Sequence, residues 1–277
     1  MPWTPGTEAP PTEAAATRPP RTWVLLRGLT REATHWGRFV PLLAQALPHD
    51  RILTLDLPGN GHLHAQASPW SVPAMAQACR QALAAQGVRG PVHLLAMSLG
   101  AMVATAWAHS APEEVAGCVL INTSMRPFSP VHHRMQPQHW PTLARLLLWP
   151  HTPLQIETTV LRMTSNHPAA HANVLPQWVL ARQQRPVRAA NVLRQLAAAA
   201  RFRAPPTPPP VPTLLLASTH DRLVRSECSR DLARAWRCAL VEHPHAGHDL
   251  PLDDPQWVVG QVCAGAAAPG STPRDGA

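Results

Sequence analysis

Six short, continuously apolar runs, each followed by a segment long enough for a helix, constrain the fold of this chain more than any other feature. The runs are Trp23–Arg27, Ile52–Asp56, Val92–Met97, Val119–Asn122, Thr213–Ser218 and Ala239–Glu242. Strands without polar alternation are buried on both faces, as in a parallel sheet covered by helices. The alternation therefore predicts an α/β fold: a doubly wound, mostly parallel sheet of about six strands with helices on both faces. The length, 277 residues, suits one domain with an inserted subdomain, and 45% apolar residues suffice for a sizeable core.

One interval breaks the rhythm. About 90 residues separate Val119–Asn122 from Thr213, without a clear strand pattern. The interval holds Trp140, Trp149 and Trp178, a helical stretch at Val187–Phe202, and a proline-rich linker at Pro205–Pro212. A structureless loop of this length is implausible. We expect a helical lid over residues 124–204, a core built from 22–123 and 205–264, and disordered tails at 1–21 and 265–277.

Composition removes several alternatives. The net charge is +8 and all 24 basic residues are Arg, yet no basic run interleaved with aromatics appears, which argues against a nucleic-acid binder. The five cysteines are irregularly spaced without a CxxC pair, so we expect free thiols in a reducing cytosol. The start of the chain lacks a basic segment followed by an apolar run, and no stretch of about 18 apolar residues exists. These features point to a cytoplasmic protein without a membrane span. Histidines are not spaced as HExxH, so no metal site is expected.

The sharpest local signal is Ala96-Met97-Ser98-Leu99-Gly100. An apolar run ends in small-x-Ser-x-Gly and a helical pattern begins at once. A serine on so tight a strand-to-helix turn occupies a strained backbone position and needs small residues on either side. The alternative is a plain helix N-cap. A serine nucleophile needs a base, and the base an orienting acid. Asp221 follows the run Thr213–Ser218, and His248 follows the run at Ala239–Glu242. Both stand just past strand C-termini, where open α/β sheets place their ligands. His220, His243 and His245 compete for the base, and Asp221 has the alternative of a turn residue. The order Ser98, Asp221, His248 favours a catalytic triad.

These pieces, with Val24-Leu25-Leu26-Arg27-Gly28-Leu29 and Asp56-Leu57-Pro58-Gly59-Asn60-Gly61-His62, resemble the α/β-hydrolase fold superfamily. The similarity runs from about Trp23 to Pro255 and lies with the esterase and carboxylesterase group; among subfamilies the pimeloyl-[acyl-carrier-protein] methyl ester esterases look nearest. The resemblance implies an oxyanion hole from the backbone N–H groups of Leu29 and Leu99, an acyl-enzyme route and no cofactor. The chain departs from the family pattern at Arg27-Gly28, where His-Gly is usual, and lacks room for two opening antiparallel strands. Arg27, Trp140 and Met163 are candidate substrate contacts.

From Met125 to Arg203 there are ten Arg and one acid, Glu157: +9 over 79 residues, which leaves the rest near neutral. A solvated helical face explains this, and so does recognition of an acidic acyl carrier protein or a carboxylate-bearing ester. Arg134, Arg145, Arg162, Arg182, Arg185 and Arg188 are the candidates. The expected activity is hydrolysis of a small-molecule carboxylic ester or thioester. The alternatives are a carbon–carbon bond hydrolase or perhydrolase with the same triad, and a non-catalytic binding protein of this fold.

Overall fold

The computed structural model describes residues 19–267. All six expected strands form: β1 (Thr22–Leu26), β2 (Arg51–Leu55), β3 (Val92–Met97), β4 (Val115–Ile121), β5 (Thr213–Ser218) and β6 (Ala239–His243). They pair in the order β2-β1-β3-β4-β5-β6, and every pairing is parallel. β4 begins at Val115, before the apolar run. Gly117 breaks that run, but a Cβ there would stand 3.3 Å from the carbonyl oxygen of Pro212, which accepts from Cys118 N–H at 2.8 Å. The glycine keeps the strand close to the segment leading into β5.

Period-two alternation sends side chains to two cores. From β1 and β3, Val24, Leu26, Leu94 and Ala96 join the first, with α2 (Val72–Ala85), α3 (Leu99–Ser110) and α9 (Glu227–Trp236). Trp23, Leu25, Leu95 and Met97 join the second, against α1 (Phe39–Ala46) and α11 (Pro255–Ala267). The short helix α10 (Leu250–Asp253) precedes α11, which continues past the expected boundary at 264. The tails expected to be disordered lie almost wholly outside the described residues. Cys79, Cys118 and Cys228 are buried, and none of the five cysteines forms a disulfide. Burial pushes Cys79 and Cys118 up to about 12 and Cys228 to about 11.

Between β4 and β5 the chain is helical: α4 (Val131–Arg134), α5 (Trp140–Leu148), α6 (Pro153–Thr164), α7 (Leu175–Gln184) and α8 (Ala189–Arg201). α6 starts on a capping box: Thr152 Oγ1 accepts from Gln155 N–H and the Gln155 side chain accepts from Thr152 N–H, with Pro153 in the first turn. α8 turns Asn191, Gln195 and Ala198 inward, one helical face. Its polar members are satisfied by loops of the core: Asn191 by Ser68 and Gln66, Gln195 by Thr30, Asn60 and Ser68. Among the described residues no helix is long and apolar enough to cross a membrane.

Candidate active site

The strand order fixes where a site can lie. The chain runs from β1 outward to β2, then returns to β3 on the other side of β1. The loops after β1 and β3 therefore part at a topological switch point, at the C-terminal ends of parallel strands. Ser98 ends β3 at this point, with φ 56° and ψ −117°, a conformation L-residues avoid. Its N–H donates to Ile121 O at 2.9 Å, and Thr123 Oγ1 donates to its carbonyl at 3.1 Å. Crowding explains the small neighbours. A Cβ on Gly100 would stand 2.5 Å from Leu26 O, and one on Gly28 3.1 Å from Ser98 Cβ. Ser98 occupies the N-cap position of α3 but its side chain makes no capping bond, so its hydroxyl is not used to start the helix.

His248 is buried and its Nδ1 lies 2.7 Å from Asp221 Oδ2. The other oxygen of Asp221 accepts from the N–H groups of Leu223 and Val224 at 2.8 and 2.9 Å, which fixes the carboxylate. With Nδ1 engaged, Nε2 is the nitrogen left for the cavity that both His248 and Ser98 line. The competing histidines have other partners. His243 Nδ1 accepts from the N–H groups of His245 and Ala246, and its Nε2 lies 3.2 Å from Asp254. His220 is bound to Pro244 O in an exposed loop.

The cavity has a volume of about 320 Å³. Leu29, Leu99, Arg27, Trp140 and Met163 line it with Ser98 and His248; Asp221 stands behind the histidine. Among the described residues, neither Leu29 N–H nor Leu99 N–H donates to a protein acceptor, which leaves both for a ligand oxygen. The loop carrying Leu29 is held on both sides. Gln195 Oε1 accepts from Thr30 N–H at 2.9 Å, and Asn60 Nδ2 donates to Arg31 O at 3.0 Å. The Asp56–Gly61 turn supports it too: Asp56 accepts from Ala33 N–H and His62 N–H, and a Cβ on Gly61 would collide with its carboxylate.

Asp249 and Asn122 belong to the site but are not singled out by local sequence. Arg27, at the position of the usual histidine, forms a two-bond ion pair with Asp249, Nη1–Oδ1 3.0 Å and Nη2–Oδ2 2.5 Å, both side chains buried. Asp249 adjoins His248, so this pair ties the β1 loop to the histidine loop. Asn122, at φ 45°, donates to the carbonyls of Gly247 and His248. Gly247 sits where a Cβ would stand 2.7 Å from Thr164 O, at the end of α6. The six candidate arginines divide. Arg182 pairs with Glu157, Arg185 with Glu32, and Arg134 is buried, while Arg145, Arg162 and Arg188 are exposed. Among the described residues no group of three His, Cys, Asp or Glu is placed to hold a metal ion.

Comparison with known proteins agrees with this architecture. Residues 23–261 match the family described as the alpha/beta hydrolase family. A pimeloyl-[acyl-carrier protein] methyl ester esterase of Methylococcus capsulatus is 38% identical over 98 residues, which is 35% of this chain and 35% of that protein. The similarity thus spans about a third of that relative's length. Among solved structures, the enol-lactonase of Burkholderia xenovorans superposes with a TM-score of 0.74 at 18% identity, covering 90% of this chain and 92% of that one. A thermophilic esterase of Thermogutta terrifontis gives 0.69 at 21% identity, covering 88% of each. At such identities these two share the fold. The family match covers most of the chain, and the protein belongs to the alpha/beta hydrolase family.

Proposed function

We propose that the protein is a serine hydrolase that cleaves a carboxylic ester or thioester through an acyl-enzyme. The observation that carries this reading is the line from Asp221 through His248 to a cavity that contains a strained, uncapped Ser98. Ser98 Oγ attacks the acyl carbonyl and His248 takes its proton. The tetrahedral oxyanion lies on the N–H groups of Leu29 and Leu99, each such donor contributing about 3 kcal/mol to the transition state. The positive end of α3 adds to that field. His248 then protonates the leaving alcohol or thiol, and water repeats the sequence to release the acid. Asp221 holds the imidazole tautomer and stabilises the imidazolium. The helical insertion acts as a lid and supplies much of the acyl wall, Trp140 and Met163 included.

Of the six candidate arginines, Arg145, Arg162 and Arg188 are the exposed ones left to meet an acidic partner such as an acyl carrier protein; Arg182 and Arg185 are occupied by ion pairs. The esterase named for an acyl-carrier substrate supports including that partner class, over the third of the chain that matches it. The decisive experiment pairs a fluorophosphonate probe with p-nitrophenyl esters of increasing acyl length. Wild type should be labelled and turn over, and Ser98→Ala should do neither. Labelling that persists in Ser98→Ala would remove Ser98 from the mechanism.

A further inference from the structure

Charge in the cavity wall is left over after the proposed reaction has been accounted for. Glu157 is 0% exposed and accepts from two guanidiniums, Arg31 Nη1 at 2.6 Å and Arg182 Nε at 2.5 Å. One carboxylate thus serves two cations. His35 lies 3.9 Å from the same carboxylate and is neutral: burial, then the charges of Arg31 and Arg27, hold its pKa well below the usual imidazole value. Arg31 is 6% exposed, stacks 4.2 Å over Trp178 and forms part of the cavity wall, and its buried Nε and Nη2 have no hydrogen-bond partner among the described residues. Arg27, in the same wall, is neutralised by Asp249. Arg134 is the third guanidinium of the wall. It donates to the carbonyls of Ala199 and Ala200, and among the described residues it has no carboxylate partner.

Buried charges are ordinarily paired, because leaving one uncompensated in a low-dielectric interior is strongly unfavourable. A buried guanidinium in excess of its carboxylates, in the wall of a substrate cavity, calls for a negative charge brought by the ligand. We infer that the cavity takes esters that carry a second, ionised carboxylate, seated against Arg31 while the ester carbonyl lies at Ser98. The substrate class is the monoester of a dicarboxylic acid. One excess cation at Glu157 matches a monoanion, and a largely apolar wall of Leu, Met and Val side chains suits the methylene chain between the two ends. This inference rests on the serine-hydrolase reading for the ester end only.

The test compares methanol release from the monomethyl and dimethyl esters of the succinate-to-suberate series, which differ in one charge. In wild type the best monomethyl ester should exceed its dimethyl counterpart at least tenfold in kcat/KM, chiefly through KM. Arg31→Met keeps a neutral Arg182–Glu157 pair and should bring that ratio to about one, with Arg31→Lys between. Calorimetry with free adipate and suberate reads the anion site without turnover: binding to wild type and its loss in Arg31→Met are expected. Equal or better use of dimethyl esters by wild type overturns the inference, as does an unchanged ratio in folded Arg31→Met. If Arg31→Met fails to fold, the wild-type ratio decides. If Ser98 is not labelled and no ester is cleaved, the hydrolase reading has failed; adipate and suberate binding then decides the anion site, and its absence overturns that as well.

Discussion

Ser98 keeps its strained backbone because nothing around it has room to give. Gly100 packs against the carbonyls of Leu26 and Arg27, and these are backbone atoms that cannot swing away. Gly100→Ala is therefore expected to separate α3 from β1 and lower stability by about 1–3 kcal/mol, the range for overpacking. It should reduce fluorophosphonate labelling of Ser98 more than its loss of folded protein explains; labelling rates and urea unfolding of the same preparation check this. At this scale the sequence is most readable where the chemistry is local. Ala96 to Gly100 carries the elbow within five residues, and the loops bearing Asp221 and His248 follow recognisable runs. Asn122, Asp249 and Glu157 are invisible to such reading. Their partners lie far along the chain, 222 residues away for the Arg27–Asp249 pair, and a lone Asp or Asn carries no mark of what it will meet.

At the scale of elements, the strands were legible because each carries a run of mostly apolar residues, while the insertion was legible only as helical. Beside apolar contacts such as those of Ala198 and Phe202, polar ones hold it in place: Asn191 and Gln195 of α8 reach core loops, Glu157 of α6 reaches Arg31, and Arg185 beyond α7 reaches Glu32. The substitution of Arg for the family's usual His reads at this scale as well. Arg27 and Asp249 join two loops that come from opposite ends of the sequence and meet at the cavity. Arg27→Met leaves a buried carboxylate without a partner and should destabilise the protein by about 3–5 kcal/mol. Arg27→Met with Asp249→Leu should recover most of that, because an apolar pair removes the desolvation penalty as well as the attraction. Urea midpoints of the two variants test it, and equal midpoints would show that the ion pair is not what the first variant breaks.

Across the whole molecule, acid should loosen the insertion from the core. Burial alone would raise Glu157, but Arg31 and Arg182 outweigh it and hold the carboxyl below its ordinary value. At Glu32 burial is likewise outweighed, by Arg185 and Thr34. A carboxylate with a depressed folded-state pKa contributes stability that is present above its ordinary pKa, about 4.3 for Glu, and is lost as pH falls through the folded value. Asp56 is raised by burial and works in the opposite direction. Glu114, held low by Arg80, and His35, kept neutral by burial, act in the same direction as Glu32 and Glu157, so these outnumber Asp56; Tm should fall as pH drops below about 4, and the fall should be shallower in Glu32→Gln. A Tm that is flat from neutral pH to pH 3 would contradict this.

One helix stands apart from these anchors. α5 has no buried residue, Trp140 is 47% exposed and Leu148 72%, yet Trp140, Leu143 and Leu146 face the cavity. The part of the wall that contributes least to holding the fold thus shapes what the cavity admits. Under the proposed reaction, divergence of substrate preference, in nature or in a directed library, has a path through α5 along which many variants remain folded while selection acts on what the cavity admits.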